Sequence, residues 1–180
     1  GVSSAASDVY KRQVLSYEVK KITRKDCEHY IMHIHYAKRW PSISYAYGLF
    51  FDSELIGIVT YGSPASPWLC KSVCGKAFRR QVIELNRLTL RYNRNNEASM
   101  LVGRSLRLLG MEGDFIVVSY ADTAHGHIGI VYQATNFLFT GTTKPRTDMA
   151  SAGGGHPRHV GDRSSRVNRS AKHRYVTFVG

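Results

Sequence analysis

The chain has 180 residues, which is the length of one domain able to bury a sizeable core. Lys and Arg interrupt every hydrophobic stretch, so no apolar run reaches the length of a membrane span. The formal net charge of +12 makes an acidic polymer the first partner to consider.

Basic residues cluster along the chain, as the neutralisation of phosphates requires. Charges that only solvate a surface are the alternative, but those would be scattered. We therefore expect a nucleic acid partner. The clusters are Lys38-Arg39, Lys76–Arg80, Arg87–Arg94, Arg104–Arg107 and Lys144–Arg174.

Three cysteines, Cys27, Cys70 and Cys74, give an odd number and no zinc-type pairing. Free thiols in a reducing compartment are expected. Residues 1–13 are predicted to be foreign to the native protein, because Ser3–Gln13 looks like one reading frame of a transposon sequencing adapter. A signal peptide is the alternative, but the segment has no apolar core. At the other end, the chain stops within a strand-like run, so truncation there is also expected.

Alternating and helical periodicities predict the first elements in chain order. Tyr17–Ile22 alternates as a strand, and Thr23 is predicted to cap a helix that runs towards Ile34 and is broken at Trp40-Pro41. Residues 45–51 and 55–61 are predicted to form a hairpin around Asp52-Ser53-Glu54. A rigid loop follows at 62–67.

The second half predicts three more strands and two helices before a change in composition. Residues 14–143 should form the core, 144–172 a flexible basic loop, and 173–180 a strand that rejoins the sheet. This order is typical of a mixed α/β fold of the N-acetyltransferase type, with a mostly antiparallel sheet flanked by helices. The predicted strands are 82–90, 115–120, 137–141 and 174–179, and the helices are 98–109 and 126–135.

Residues 84–99, ELNRLTLRYNRNNEAS, predict a strand, a polar loop and a helix start that could hold a pyrophosphate. The first N–H groups of a helix lack internal partners, and the helix dipole favours an anion there. An ordinary capped helix is the alternative, because the loop lacks the glycines that are usual in phosphate loops. The residues predicted to bind the cofactor are Leu88, Leu90, Arg94, Asn95, Asn96, Ala98 and Ser99.

Residues 119–141, SYADTAHGHIGIVYQATNFLFTG, predict a strand end, a polar turn, a short helix and another strand. Tyr132 would sit on that helix, where its hydroxyl could protonate a leaving thiolate. Packing in the core is the alternative for this tyrosine. Ser119, Tyr120 and Asp122 fall where ligands bind in open α/β sheets, and capping of the following turn is the alternative for Asp122.

Aromatic and basic residues alternate in His35-Tyr36 and Lys38-Arg39-Trp40. Such a mixture is typical of sites where a base stacks beside phosphate contacts. Histidine and lysine are also ordinary near the end of a helix, so a helix-capping role is the alternative.

Several of these segments together resemble the Mom family of bacteriophage DNA-modification proteins. They are IHYAKRWPS, ELNRLTL, NNEASMLVGRSLRLL, the 119–141 segment and KHRYV. The resemblance implies a fold related to the N-acetyltransferases. It also implies installation of a carbamoylmethyl (acetamido) group on adenine N6 in double-stranded DNA, which protects phage DNA from restriction in the cytoplasm of the infected bacterium.

The resemblance assigns a catalytic role to His35, Tyr36, Ser119, Tyr120, Asp122 and Tyr132. It implies acetyl-CoA as the cofactor and raises iron as a second one, with no ligands identified. The residues expected to bind DNA are Lys38, Arg39, Trp40, Arg87, Arg158, Arg163, Arg166, Arg169, Lys172 and Arg174. Two other functions stay open: an acetyl-CoA-dependent N-acetyltransferase acting on a small amine or protein, and a non-catalytic DNA-binding module.

Overall fold

A computed structural model describes the backbone of residues 17–151 and 161–180, with side chains for 17–147 and 167–180. The strands are β1 (Tyr17–Lys21), β2 (Tyr45–Phe51), β3 (Glu54–Gly62), β4 (Val82–Leu90), β5 (Phe115–Asp122), β6 (Leu138–Thr142), β7 (Arg146–Ser151), β8 (Gly161–Arg169) and β9 (Lys172–Val179). The α-helices are α1 (Pro67–Cys74), α2 (Glu97–Gly110) and α3 (Ile130–Ala134). Short 3-10 turns lie at Lys25–Cys27 and Thr123–His125, and a π-helical turn at Tyr30–Ile34.

Seven strands form one twisted sheet in the order β1-β2-β3-β4-β5-β9-β6. All neighbours are antiparallel except β4 and β5, which run parallel. The mixed, mostly antiparallel sheet predicted from the sequence is therefore confirmed. Among the described residues, β7 and β8 pair only with each other.

The two faces of the sheet are covered by different helices, because side chains alternate along each strand. On the α2 face, Val117 of β5 packs with α2 residues such as Leu101, and α3 adjoins the same core. On the α1 face, Val118 packs against α1 residues such as Val73. The helical segment 25–34 covers Ala46 and Ile58 nearby on the α1 face. A ligand between β4 and β5 can therefore be approached from two distinct sides.

Thr23 and Asp26 begin the helical segment with a reciprocal cap. The Thr23 N–H donates to the Asp26 carboxylate at 2.8 Å, and the Asp26 N–H donates to Thr23 Oγ1 at 3.4 Å. The predicted start of this helix is close to the observed one. The segment ends at Ile34, well before the proline at position 41, and leaves residues 35–44 as a connection beside the sheet.

Three predictions differ from the structure. The helix expected over 126–135 is confined to Ile130–Ala134, since Gly126 and Gly129 adopt left-handed backbone (φ 66° and 76°). Helix α1 was not predicted; Ser66 precedes it and Pro67 occupies its first turn, which is a favoured helix start. The segment 144–172, expected to be a loop, contains the β7–β8 ribbon, whose backbone hydrogen bonds need no apolar core.

Residues 1–13 and Arg158 lie outside the described residues. Arg163 and Arg166 lie on β8, where only the backbone is described. The helices in the described part of the chain are all too short or too polar to cross a membrane.

Candidate active site

A cleft of about 720 Å³ opens where β4 and β5 diverge. The two strands pair only from Val82–Glu84 to Ile116–Val118. Past that point β4 stays hydrogen-bonded to β3 and β5 to β9, so neither strand satisfies the facing edge of the other. The carboxyl ends of parallel strands are where open α/β sheets bind ligands.

Residues from six parts of the chain line this cleft, including four of the six predicted catalytic residues. The predicted residues among them are His35, Tyr36, Arg87, Leu88, Leu90, Ala98, Tyr120, Tyr132 and Lys172. The sequence did not single out Glu84, Asn86, Thr89 or Ile128, which also line it. Ser119, Asp122 and Asn95 are not part of the lining.

Tyr132 lines the cleft from α3. Its ring packs 5.3 Å from Phe137 and 5.4 Å from Tyr175, measured between ring centroids. Burial raises its pKa, and a side-chain hydrogen bond with Ser119 acts in the opposite direction. The phenol therefore keeps its proton at neutral pH, which a proton donor requires. The Tyr132 side chain therefore both packs in the core and lines the cleft.

Tyr175 of β9 fixes the turn that carries Tyr132. Its hydroxyl donates to the Ile128 carbonyl at 2.7 Å and accepts from Gln133 Nε2 at 3.2 Å. Gly129 lies against its ring, and a Cβ there would come within 2.3 Å of a ring carbon. The sequence indicates Tyr175 only as part of the KHRYV segment, because a lone tyrosine on a terminal strand gives no sign of this contact.

Glu84 places a carboxyl in the cleft at the last parallel pair. Burial raises its pKa, whereas Arg87, Lys172 and a hydrogen bond from the Ala65 N–H lower it. The pKa of Tyr120 is raised to about 12, mainly by burial and then by the Glu84 charge. Glu84 is therefore a partly buried acid–base group among phenols and cations, the kind of perturbed carboxyl that marks functional sites.

Arg87 lies in the cleft instead of on the outer surface expected for a DNA contact. A β-bulge at β3–β4 displaces Asn86 and re-aims the strand beyond it. The Arg87 guanidinium donates to the carbonyls of Asn86 at 2.6 Å and Arg39 at 2.7 Å. Its Nε and the hydroxyl of Thr89 are buried without hydrogen-bond partners. Two unsatisfied polar atoms in one cleft indicate a place for a polar ligand.

His35 and Tyr36 form an aromatic stack at the edge of the cleft, with ring centroids 4.4 Å apart. The His125 ring is tilted against Tyr36, with their centroids also 4.4 Å apart. Burial, Arg87 and the nearby histidines lower the pKa of His35 to about 4, so the ring is neutral at pH 7. Its Nδ1 accepts from the Ala37 N–H at 3.0 Å, which leaves the proton on Nε2. In this tautomer the Nε2–H of His35 is able to donate a hydrogen bond.

Asp122 and Ser119 form hydrogen bonds at the end of β5 and do not line the cleft. The Asp122 carboxylate accepts from the Ala124 N–H at 3.0 Å and from the Ser170 hydroxyl, and pairs with Lys172 at 3.3 Å. It thereby caps the turn that begins at Thr123, as the alternative interpretation of the sequence held. The buried Ser119 hydroxyl donates to the Leu85 carbonyl at 3.1 Å and so bridges β5 to β4.

The start of α2 is occupied by an internal carboxylate. Glu97 is fully buried, and it accepts from the Arg94 N–H at 2.8 Å and from the Tyr17 hydroxyl at 3.0 Å. Asn96 adopts the left-handed backbone conformation (φ 67°) that a glycine would usually supply at such a turn. Because the Arg94 N–H already donates to Glu97, an anion would bind the first helical N–H groups that follow Glu97.

The predicted cofactor residues divide between two neighbouring places. Leu88, Leu90 and Ala98 line the cleft, whereas Asn96 and Ser99 line a second, open cavity of about 880 Å³ between α2 and the ends of α3 and β9. Asn95 and Arg94 line neither cavity. The Arg94 guanidinium lies over the Tyr92 ring at 4.7 Å.

The other predicted DNA-binding residues whose side chains the structure describes lie outside the cleft. Lys38 is exposed, Arg39 is partly buried, and Trp40 is covered by the Arg24 guanidinium at 4.7 Å. Arg174 donates to the Thr140 hydroxyl at 2.9 Å. Arg169 belongs to β8, where it pairs with Arg146 of β7.

Residues 16–179 match the model of the Mom protein family. The chain belongs to the Mom family. It is 29% identical over 143 residues to the protein described as methylcarbamoylase mom of Escherichia phage Mu. That match covers 74% of this chain and 59% of the phage Mu protein, so the chain spans about three fifths of that relative's length.

Solved structures with the same fold are N-acetyltransferases. The ribosomal-protein-S18-alanine N-acetyltransferase of Escherichia coli has a TM-score of 0.56 at 8% identity, over 91% of this chain and 94% of its own. An acetyltransferase of the GNAT family from Streptococcus pneumoniae has a TM-score of 0.55 at 12% identity, over 91% and 99%. A Bacillus subtilis acetyltransferase in complex with CoA has a TM-score of 0.51 at 12% identity, over 91% and 98%. The predicted fold type is confirmed.

The iron that the family resemblance raised finds no matching donor set among residues 17–147 and 167–180. No group of three or more His, Cys, Asp or Glu side chains there could hold a metal ion. Among the histidines beside the cleft, His35 already uses its Nδ1 to accept a hydrogen bond from the Ala37 N–H. No step of the reaction is therefore assigned to a metal.

Removal of the Glu97 carboxylate should destabilise the fold. Glu97→Ala leaves the Arg94 N–H and the Tyr17 hydroxyl without their acceptor, at a cost of about 2 kcal/mol in the free energy of unfolding. Urea unfolding followed by circular dichroism measures this. Glu28→Ala, at an exposed position, is the matched control and should leave the midpoint unchanged. Equal midpoints for the two variants would contradict the internal-cap interpretation of Glu97.

Acid should destabilise the protein through His35. Its folded pKa of about 4 lies below the ordinary 6.5, so between these values the unfolded chain binds a proton that the folded chain does not. This contribution to stability is complete above pH 6.5 and is lost as the pH falls towards 4, by about 3 kcal/mol. Urea midpoints across this window should fall for the wild type and fall less for His35→Phe. The exposed His33→Phe control should follow the wild type; a His35→Phe curve that also follows it would reject the assignment.

Proposed function

We propose that this chain is a DNA-modifying transferase that converts adenine to N6-carbamoylmethyl adenine with acetyl-CoA as cofactor. The observation that carries the proposal is the cleft of a Mom-family chain in which a protonated phenol, Tyr132, and a perturbed carboxyl, Glu84, meet between β4 and β5. The name of the phage Mu relative, methylcarbamoylase, gives the type of group transferred. Protection of phage DNA in the cytoplasm of the infected bacterium would follow from such a modification.

Acetyl-CoA fits the α2 side of the cleft. The free edge of β4 and the apolar Leu88 and Leu90 offer backbone and side-chain contacts to an extended pantetheine chain. The start of α2 attracts the pyrophosphate through its unpaired N–H groups. The CoA complex of the Bacillus subtilis neighbour supports a CoA-type ligand for this fold. When bound, the cofactor supplies a two-carbon group activated as a thioester.

Tyr132 is the proton donor in this proposal. Its raised pKa keeps the hydroxyl protonated until a thiolate forms beside it. Glu84 is the residue that accepts a proton from the adenine amine, because a carboxylate with a raised pKa is a stronger base than an ordinary one. Arg87 and Lys172 lower the pKa of Glu84 and so favour its ionised form, against the effect of burial.

Adenine reaches the cleft from the α1 face in this proposal. Its N6 lies in the major groove, but a pocket cannot close around a base inside the stack, so the base must be extruded. The His35–Tyr36 stack offers an aromatic surface for the extruded purine. Lys38 and Arg39 follow it directly and would contact phosphate.

The product sets a chemical requirement beyond acyl transfer. Attack of N6 on the thioester carbonyl would give an acetyl amide, whereas the carbamoylmethyl group joins N6 to the methyl carbon and ends in an amide nitrogen. Replacing a methyl C–H bond by a C–N bond requires a two-electron oxidant, and displacing the thiol by an amide nitrogen requires a nitrogen donor, so both co-reactants come from outside this chain. The roles of Tyr132 and Glu84 are therefore limited to proton transfer and to holding the two reactants in one cleft.

Mass spectrometry of nucleosides from DNA treated with the protein tests the proposal. Protein, acetyl-CoA and duplex DNA, in extract from the host bacterium to supply any nitrogen donor, should yield carbamoylmethyl deoxyadenosine. N-acetylated small amines or peptides in place of a modified nucleoside would favour an ordinary N-acetyltransferase. DNA binding with no transfer of any kind would favour a non-catalytic module.

Tyr132→Phe should lower turnover at least 10-fold and leave folding intact, because it removes only a hydroxyl. The affinity for acetyl-CoA, measured by calorimetry, should change little. Tyr92→Phe, at an exposed phenol outside the cleft, is the matched control. Wild-type turnover by Tyr132→Phe would assign this side chain to packing alone.

A further inference from the structure

Helix α1 and the turn after it present aromatic rings and positive charge to solvent. Trp68 is 78% exposed and Phe78 is 54% exposed. The Lys71 ammonium lies 5.3 Å from the centre of the Trp68 indole. Lys76, Arg79 and Arg80 are exposed in the turn that follows. We name this set of six residues the α1 surface.

The α1 surface carries no acidic side chain. Between Glu54 and Glu84 the chain contains four Lys or Arg residues and no Asp or Glu. Single exposed apolar residues are ordinary on proteins. An indole and a phenyl ring among unopposed cations are a different case, because bases and phosphates together offer partners for both.

The α1 surface lies next to the cleft. The Ala65 backbone lies beside the Glu84 carboxyl, and Ala65 precedes Trp68 by three residues, so the Cα atoms of Ala65 and Trp68 are at most about 11 Å apart. Tyr120, which lines the cleft, belongs to the same hydrophobic cluster as the partly buried residues of α1. Both contacts are on the face of the sheet through which adenine would enter.

We propose that the α1 surface binds the DNA duplex beside the extruded adenine, with the Trp68 indole packed on a neighbouring base. Lys71, Lys76, Arg79 and Arg80 then neutralise phosphates along the same stretch of duplex. The inference rests on the proposed function for the identity of the partner. It adds a second aromatic contact to the one that the His35–Tyr36 stack would make.

Trp68 fluorescence tests the contact directly. The chain has two tryptophans, so Trp40→Phe leaves Trp68 as the sole emitter. Saturating duplex DNA, judged by the anisotropy of a labelled strand, should quench its emission and protect it from iodide. Unchanged emission and iodide access at saturation would overturn the proposal, as would a failure of the wild-type protein to bind duplex DNA.

Affinity measurements test the energetic role. Trp68→Ala should weaken duplex binding roughly 5-fold or more, the loss expected for one stacked base. Lys76→Glu, Arg79→Glu and Arg80→Glu together should reduce the slope of log affinity against log salt by about 3. Met111→Ala, exposed on the α2 face, and Lys20→Glu, on the distant β1, are the matched controls. Equal effects in test and control variants would reject the α1 surface.

The outcomes separate this inference from the proposed function. Quenched Trp68 with no modified nucleoside would reject the proposed reaction and keep the α1 surface as a DNA contact. Modified nucleoside with unquenched Trp68 and unaltered affinity in Trp68→Ala would reject the α1 surface alone.

Discussion

The short parallel pairing of β4 with β5 is the constraint on which the site depends. Only three residues of each strand pair, from Val82–Glu84 to Ile116–Val118, and the strands then separate towards different neighbours. An open seam in the middle of a sheet leaves backbone groups without partners, which is costly unless side chains or a ligand satisfy them. Ser119 closes part of the seam through its bond to the Leu85 carbonyl. The rest of the seam is the cleft, so one topological feature creates both the cost and the binding site.

The two faces of the sheet divide the proposed chemistry. Side-chain alternation sends Leu88 to the α2 face and Tyr120 to the α1 face, and α3 places Tyr132 on the α2 face. A cofactor approaching from α2 and a base approaching from α1 would meet only in the seam. The proton donor and the carboxyl therefore stand at the junction of two routes instead of at the bottom of one pocket.

Much of the fold follows from periodicity. The bounds of β4 matched the prediction, because ELNRLTL lies between a basic turn and a polar loop. The hairpin of β2 and β3 also followed from the sequence, since Asp52 and Ser53 adopt the left-handed backbone of a tight turn. Helix α1 was missed because the loop residues before it resemble an irregular segment. The length of α3 was overestimated because Gly126 and Gly129 were treated as helical.

The site was predictable only in part. Tyr132 and His35 could be identified because they lie in motifs that the family resemblance supports, and both line the cleft. Glu84 and Tyr175 could not, since their roles arise from contacts between distant strands and turns. Glu97 shows the same limit in reverse: the loop pattern predicted a phosphate site, but only coordinates reveal a carboxylate folded into it.

Arg87 links the cleft to the 35–44 connection at its edge. One guanidinium nitrogen donates to the Arg39 carbonyl, while Nε remains unpartnered in the seam. A ligand that accepts a hydrogen bond from Nε would bind the same side chain that is hydrogen-bonded to the backbone next to Trp40. Binding at Nε would therefore be coupled, through one side chain, to the position of the 35–44 connection beside the sheet.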